Sequence, residues 1–141
     1  MKRGFACGVF DLFHAGHVLM LKECKANCDY LIVALNTAEN IDNAINPGKN
    51  KPVFTLEERM TIMKACRYVD EVLTYSSEAE LLKILSNSKI NIRFLGEDYR
   101  GKTITGSDLP MEIHYTDRSH GLSTRLYLEK IKSVHNPIKK Q

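Results

Sequence analysis

Residues 8–17, Gly-Val-Phe-Asp-Leu-Phe-His-Ala-Gly-His, constrain this chain more than any other stretch. They follow a short apolar run, Gly4-Phe5-Ala6-Cys7, and lead into apolar positions at helical spacing, Val18, Leu21, Cys24 and Cys28. Strand, Gly turn, histidines and helix in that order put both imidazoles at a helix start. The first amides of a helix and its dipole favour an anion there, usually a phosphate. Gly8 admits a left-handed or crowded backbone, and Gly16 leaves room for a ligand to approach. A lone histidine in such a place is ordinarily a cap or a core residue. The pair His14 and His17 behind a Gly turn points instead to phosphate contact.

The rest of the chain alternates strand and helix. Residues 30–35 form a continuous apolar run, as a parallel strand covered on both faces requires. A long polar loop follows, with a turn at Asn46-Pro47-Gly48 and with Lys49 and Lys51 beside it. Thr55 and Glu58 form a capping box ahead of a helix with Leu56, Met60 and Met63 on one face, and Arg59 free to point elsewhere. Ser77 and Glu80 repeat the box ahead of Leu81, Leu82 and Leu85. Further strands are expected at 71–74, 92–96 and 112–115, and Ser123 caps a last helix. This alternation predicts an α/β fold, a single Rossmann-like domain with a doubly wound parallel five-stranded sheet over residues 1–135 and a loose tail at 136–141.

Ligands of such sheets bind beyond the carboxyl ends of the strands. The unusual segments all follow strands: Gly8 to His17, Asn36 to Lys51, Gly96 to Lys102 and Asp117 to Thr124. They therefore converge on one site. In the last of them a guanidinium, two hydroxyls at a helix start and a glycine suit phosphate oxygens.

With 141 residues and a net charge of +3, the chain weakly favours an anionic small ligand. The basic residues are dispersed, so nucleic acid is not expected as a partner. Nor is a membrane, because no apolar run approaches spanning length. Lys2 and Arg3 precede no apolar signal region, which reads as cytoplasmic. The four cysteines, Cys7, Cys24, Cys28 and Cys66, lack zinc spacing and read as buried free thiols of a reducing compartment.

Gly8-x-Phe10-Asp11-x-x-His14-x-Gly16-His17 resembles the signature of the cytidylyltransferase-like nucleotidyltransferases. Arg118-Ser119-His120-Gly121-Leu122-Ser123-Thr124 is similar to their Arg-Thr-x-Gly-x-Ser-Thr motif. Both motifs occur in order near opposite ends, so the resemblance spans nearly the whole chain. Within the family, the short chain and the second motif most resemble the bacterial glycerol-3-phosphate cytidylyltransferases.

The resemblance implies transfer of CMP from CTP to a small phosphorylated alcohol or sugar, glycerol 3-phosphate foremost, with release of pyrophosphate. It assigns catalysis to His14, His17, Lys51 and Arg118. The nucleotide would be bound by Gly8, Val9, Phe10, Gly96, Asp98, Ser119, Gly121, Ser123 and Thr124 together with the two histidines and Arg118. Asp11, Thr37, Lys51 and Arg59 would face the acceptor. Mg²⁺ would bridge the triphosphate with no protein ligand assigned, and the chain would pair as a homodimer. Ala38, Glu97, Tyr99 and Ser119 depart from the family pattern. Phosphate-binding motifs do not fix the base, so an adenylyltransferase forming FAD or ADP-heptose is an alternative. A nucleotide-binding module without catalysis is another.

Overall fold

A computed structural model describes residues 1–37 and 52–135. The chain opens with β1 (Arg3–Gly8), α1 (Ala15–Ala26) and β2 (Tyr30–Asn36). It continues through α2 (Leu56–Ala65), β3 (Glu71–Tyr75), α3 (Glu78–Asn87) and β4 (Ile92–Gly96). A single 3-10 turn at Glu97–Tyr99, then β5 (Glu112–Thr116) and α4 (Thr124–His135), complete it. All five strands are parallel, in the order β3-β2-β1-β4-β5. The expected doubly wound sheet is what forms, with β4 at its expected bounds and the other strands reaching a residue or so further. The expected tail, 136–141, lies outside the described residues, as do Lys49 and Lys51.

β2 shows why the sheet is buried on both sides. Leu31, Val33 and Leu35 enter one core with Leu21 and Cys24 of α1 and Met63 of α2. Ile32 and Ala34 enter the other with Phe5, Tyr75, and Leu81 and Leu85 of α3. Strand alternation thus sends successive residues into opposite cores. Each fully buried aliphatic side chain contributes roughly 1.5–3 kcal/mol.

The order of winding creates the cleft. From β1 the chain moves outward to β2 and β3, then crosses back to β4 and on to β5. Neighbouring connections therefore leave β1 and β4 in opposite directions, the arrangement that opens a crevice at the strand ends. The register deepens it. β1 pairs with β2 over six positions, Arg3 to Gly8, but with β4 only at Gly4–Ile92 and Phe5–Arg93.

Helix ends form largely as the sequence dictates. The Thr55 hydroxyl accepts the Glu58 amide at 3.1 Å and the Glu58 carboxylate accepts the Thr55 amide at 2.9 Å. Ser77 caps α3, but Glu80 reaches the amide of Ser76 rather than that of Ser77. Asp70 accepts from the Leu31 amide and pairs with Lys25 at 2.6 Å, so it ties β2 to α1 and the turn before β3. Among the described residues no helix is long and apolar enough to cross a membrane.

Candidate active site

The loop after β1 turns on two residues that the sequence does not mark. Phe10 and Leu12 adopt φ of 52° and 50°, whereas Gly8 does not enter the left-handed region. Each non-glycine residue there costs about 1 kcal/mol or more. Asp11, between them, holds the conformation: its carboxylate accepts the Val53 amide at 2.8 Å and the Phe54 amide at 2.9 Å. The expected acceptor-facing Asp11 is therefore a brace between the β1 loop and the start of α2.

Arg59, expected to face the acceptor, is buried. It is 1% exposed, and its guanidinium donates to the carbonyls of Val9, Asn36, Phe54 and Thr37. The helix phase that leaves Arg59 between Leu56 and Met63 aims it under the ends of β1 and β2. There it stitches three segments through their carbonyls. Thr37 likewise spends its hydroxyl on Ser76 at 3.0 Å. Neither Thr37 nor Arg59 lines either of the two cavities described below.

The histidines cap their own helix. Nδ1 of His14 accepts the Gly16 amide at 3.0 Å, and Nδ1 of His17 accepts the His14 amide at 3.2 Å. The Gly16 amide is thus occupied, not offered to an anion. Gly16 is also not open space: a Cβ there would lie 2.8 Å from the His14 ring and 3.1 Å from Leu122 Cβ. A backbone N–H can only donate, so each Nδ1 is an acceptor and a neutral ring carries its proton on Nε2. The electrostatics agree. Burial, the His14 ring and Arg118 together push His17 down to about 4, with Asp11 opposing. Burial, then His120 and Arg118, also hold His14 below the usual histidine range. Both rings are neutral donors near pH 7.

The His14 and His17 rings stack at 3.9 Å between centroids, and His17 is flanked by Phe10 and Phe13. Nε2 of His14 lies 3.3 Å from the Thr124 hydroxyl, which in turn reaches the Asp11 carbonyl. Residues separated by 110 positions in sequence therefore meet.

Two cavities adjoin here. The smaller, about 140 Å³, is walled by His14, His17, Arg118, His120, Ser123 and Thr124. The larger, about 570 Å³, runs down the β1–β4 cleft past Gly8, Val9, Phe10, Gly96, Tyr99 and Arg93. His17 and Arg118 line both. Arg118 stands 3.4 Å from the Asp98 carboxylate at the mouth. Gly96 makes that pairing possible, since a Cβ would sit 2.6 Å from Asp98 Oδ1.

Not every expected contact faces a cavity. Ser119 gives its amide and hydroxyl to Asp117, and Gly121, at φ 70°, turns the chain without lining either space. Glu97 pairs with Arg100 at 2.6 Å, whereas Tyr99 does line the cleft. His120, given no role from the sequence, lines the smaller cavity, and its Nδ1 accepts the Leu122 amide at 2.9 Å. His14 and His120 both accept the amide two residues on, a likeness that appears only in the structure.

A parallel sheet with neutral histidine donors, an arginine and helix-start hydroxyls gathered at its switch point defines a nucleotidyltransferase-type fold and site. The sequence model of the cytidylyltransferase-like family matches residues 5–119, and the chain belongs to that family. It is 34% identical over 134 residues to "Bifunctional protein HldE" of Helicobacter pylori (strain HPAG1), covering 94% of this chain and 28% of that protein. Against the protein of the same name from Campylobacter concisus (strain 13826) identity is 30% over 136 residues, 96% of this chain and 28% of that one. The chain thus spans under a third of the length of these relatives. Among solved structures, the lipopolysaccharide core biosynthesis protein from Thermoplasma volcanium GSS1 superposes with a TM-score of 0.65 at 28% identity, over 83% of this chain and 99% of that one. Pantothenate synthetase from Thermus thermophilus shares the fold alone, with a TM-score of 0.52 and 12% identity over 92% of this chain and 64% of that one.

Proposed function

We propose that the chain transfers a nucleotidyl group from ATP to a phosphorylated sugar of the heptose phosphate class, releasing pyrophosphate. The observation that carries this reading is the pair of imidazoles whose Nδ1 atoms are tied to backbone amides, which puts a neutral N–H on each Nε2, that of His14 against the Thr124 hydroxyl and that of His17 where both cavities meet near Arg118. The relatives support an ADP-heptose-forming enzyme better than one making CDP-glycerol, so glycerol 3-phosphate and CTP become the competing arm of the test.

An acceptor phosphate oxygen attacks the α-phosphorus in line, a new P–O bond forms and the bond to the β-phosphate oxygen breaks. The attacking oxygen is already anionic near pH 7, so positioning and charge stabilisation supply the rate. His17 donates from Nε2 to the α- or β-phosphate, and its place between the cavities suits the point where donor and acceptor meet. His14, Arg118, Ser123 and Thr124 hold the remaining triphosphate charge in the smaller cavity. Lys51, outside the described residues, is assigned to the acceptor side on the resemblance alone.

Among the described residues no group of three or more His, Cys, Asp or Glu is placed to cage a cation. Mg²⁺, implied by the resemblance, would supply charge neutralisation, and the Asp98 carboxylate beside Arg118 would be the described side chain to meet it. The same reading makes the enzyme a cytoplasmic homodimer, which sedimentation tests.

Pyrophosphate release measured with ATP and CTP against heptose 1-phosphate and glycerol 3-phosphate decides the donor and acceptor. Turnover is expected with ATP and the heptose phosphate, and His17→Ala is expected to lower it by about two to three orders of magnitude. Nucleotide binding without pyrophosphate from any pair would leave a binding module instead.

A further inference from the structure

β4 carries a charge where its alternation calls for an apolar side chain. Ile92 and Phe94 enter the core under α1 and α2, while Arg93, paired in register with Phe5, takes the face that Phe5 fills with the α3 helix. Arg93 is 3% exposed and lines the deep end of the larger cleft. Its Nη1 donates to the Thr105 carbonyl. Its Nε is the only buried side-chain nitrogen or oxygen without a hydrogen-bond partner among the described residues. No Asp or Glu among them forms an ion pair with it. Cys7, which Arg93 approaches, is held as a neutral thiol by burial and does not serve as a counter-ion.

A buried guanidinium with an unpartnered Nε, and with no direct ion pair among the described residues, carries a desolvation cost that its one carbonyl contact offsets only in part. With Nη1 occupied, the guanidinium keeps its side-on edge, Nε and Nη2, which matches two oxygens of a carboxylate or phosphate. The Arg93–Phe5 pair is also where β1 and β4 part, so Arg93 forms the floor of the opening. Three residue steps along β4 carry the chain from Arg93 to Gly96 at the rim, about 10 Å of depth, the length of a sugar ring with its substituents. Asn36 and Tyr75 line the same end and suit sugar hydroxyls, while the Glu78 carboxylate there accepts the Thr105 hydroxyl.

We propose that Arg93 recognises a second oxyanion on the acceptor, remote from the phosphate that reacts, so that among sugar phosphates those bearing a carboxylate or a further phosphate are preferred. This rests on the reading of the cleft as a nucleotidyl-transfer site with His17 at its upper end.

Calorimetric titration of the full chain, without nucleotide, with glucose 1-phosphate, glucuronic acid 1-phosphate and glucose 1,6-bisphosphate tests it. One of the doubly anionic sugars should bind about 10- to 100-fold tighter than glucose 1-phosphate. The arm that responds distinguishes carboxylate from phosphate. Arg93→Gln should erase the preference. If that variant melts below the assay temperature, Arg93→Lys, which keeps the charge and removes the fork, should lose most of it. Equal affinities in the wild type, or a preference that survives both substitutions, overturn the assignment. Binding is read independently of turnover. Loss of nucleotidyl transfer with every triphosphate would sink that reading and leave this comparison standing, whereas equal affinities alongside turnover would sink the Arg93 assignment alone.

Discussion

His17 offers the most direct test of the site's electrostatics. Its imidazole is held down to about 4 from the ordinary 6.5 because it is buried against His14 and Arg118. Above pH 6.5 neither the native nor the unfolded chain protonates it. Between 6.5 and about 4 the unfolded chain takes up a proton that the native state refuses, so stability falls as pH falls. Below about 4 both states are protonated and the loss is complete. At about 1.4 kcal/mol per pH unit the whole effect is about 3 kcal/mol. His17→Asn isolates it, because the Asn side-chain oxygen can still accept the His14 amide but does not titrate. Urea unfolding at pH 7, 5.5 and 4 should show the wild type losing about 3 kcal/mol more than the variant across the range. Other titrating groups cancel in the difference between the two proteins. Parallel stability curves would refute the reasoning, since they require a ring that protonates as readily in the fold as outside it.

Asp11→Ala removes both acceptors of the Val53 and Phe54 amides and should cost about 1–3 kcal/mol while lowering kcat, read from thermal melts and pyrophosphate release. Arg59→Met leaves buried carbonyls of β1, β2 and the α2 approach unpaired and should destabilise by about 3 kcal/mol or more, with expression and melting as the measure. An Arg59 variant with normal melting and a raised acceptor KM would restore the phosphate-contact role. Gly96→Ala displaces the Asp98 carboxylate from Arg118 and should raise the triphosphate KM about tenfold with little change in melting temperature.

Local chemistry was legible without coordinates wherever neighbours along the chain decide the outcome. The Thr55–Glu58 box, the Ser123 cap and the buried run that became β2 depend on side chains meeting amides a few positions away, or on an apolar pattern of fixed period. The order of elements likewise determined the parallel sheet, because right-handed crossovers leave few other ways to cover strands on both faces. The motifs around His14 and Arg118 placed the chain in its family for the same reason: phosphate chemistry needs those side chains at those spacings.

What each polar group touches was settled only in three dimensions. Asp11 and Arg59 carry phosphate-compatible or acceptor-compatible chemistry, yet backbone amides 42 and 43 positions away claim the first and carbonyls up to 50 positions away claim the second. The two left-handed residues fell on Phe10 and Leu12 because a long-range tether, not local preference, fixes that turn. Arg93 and His120 gained their places in the cavities from the splay of β1 against β4 and from the return of the 117–124 segment to the α1 N-terminus. Periodicity reports which face a side chain takes; only packing decides whether a charge on that face finds a counter-charge, and among the described residues Arg93 forms no ion pair.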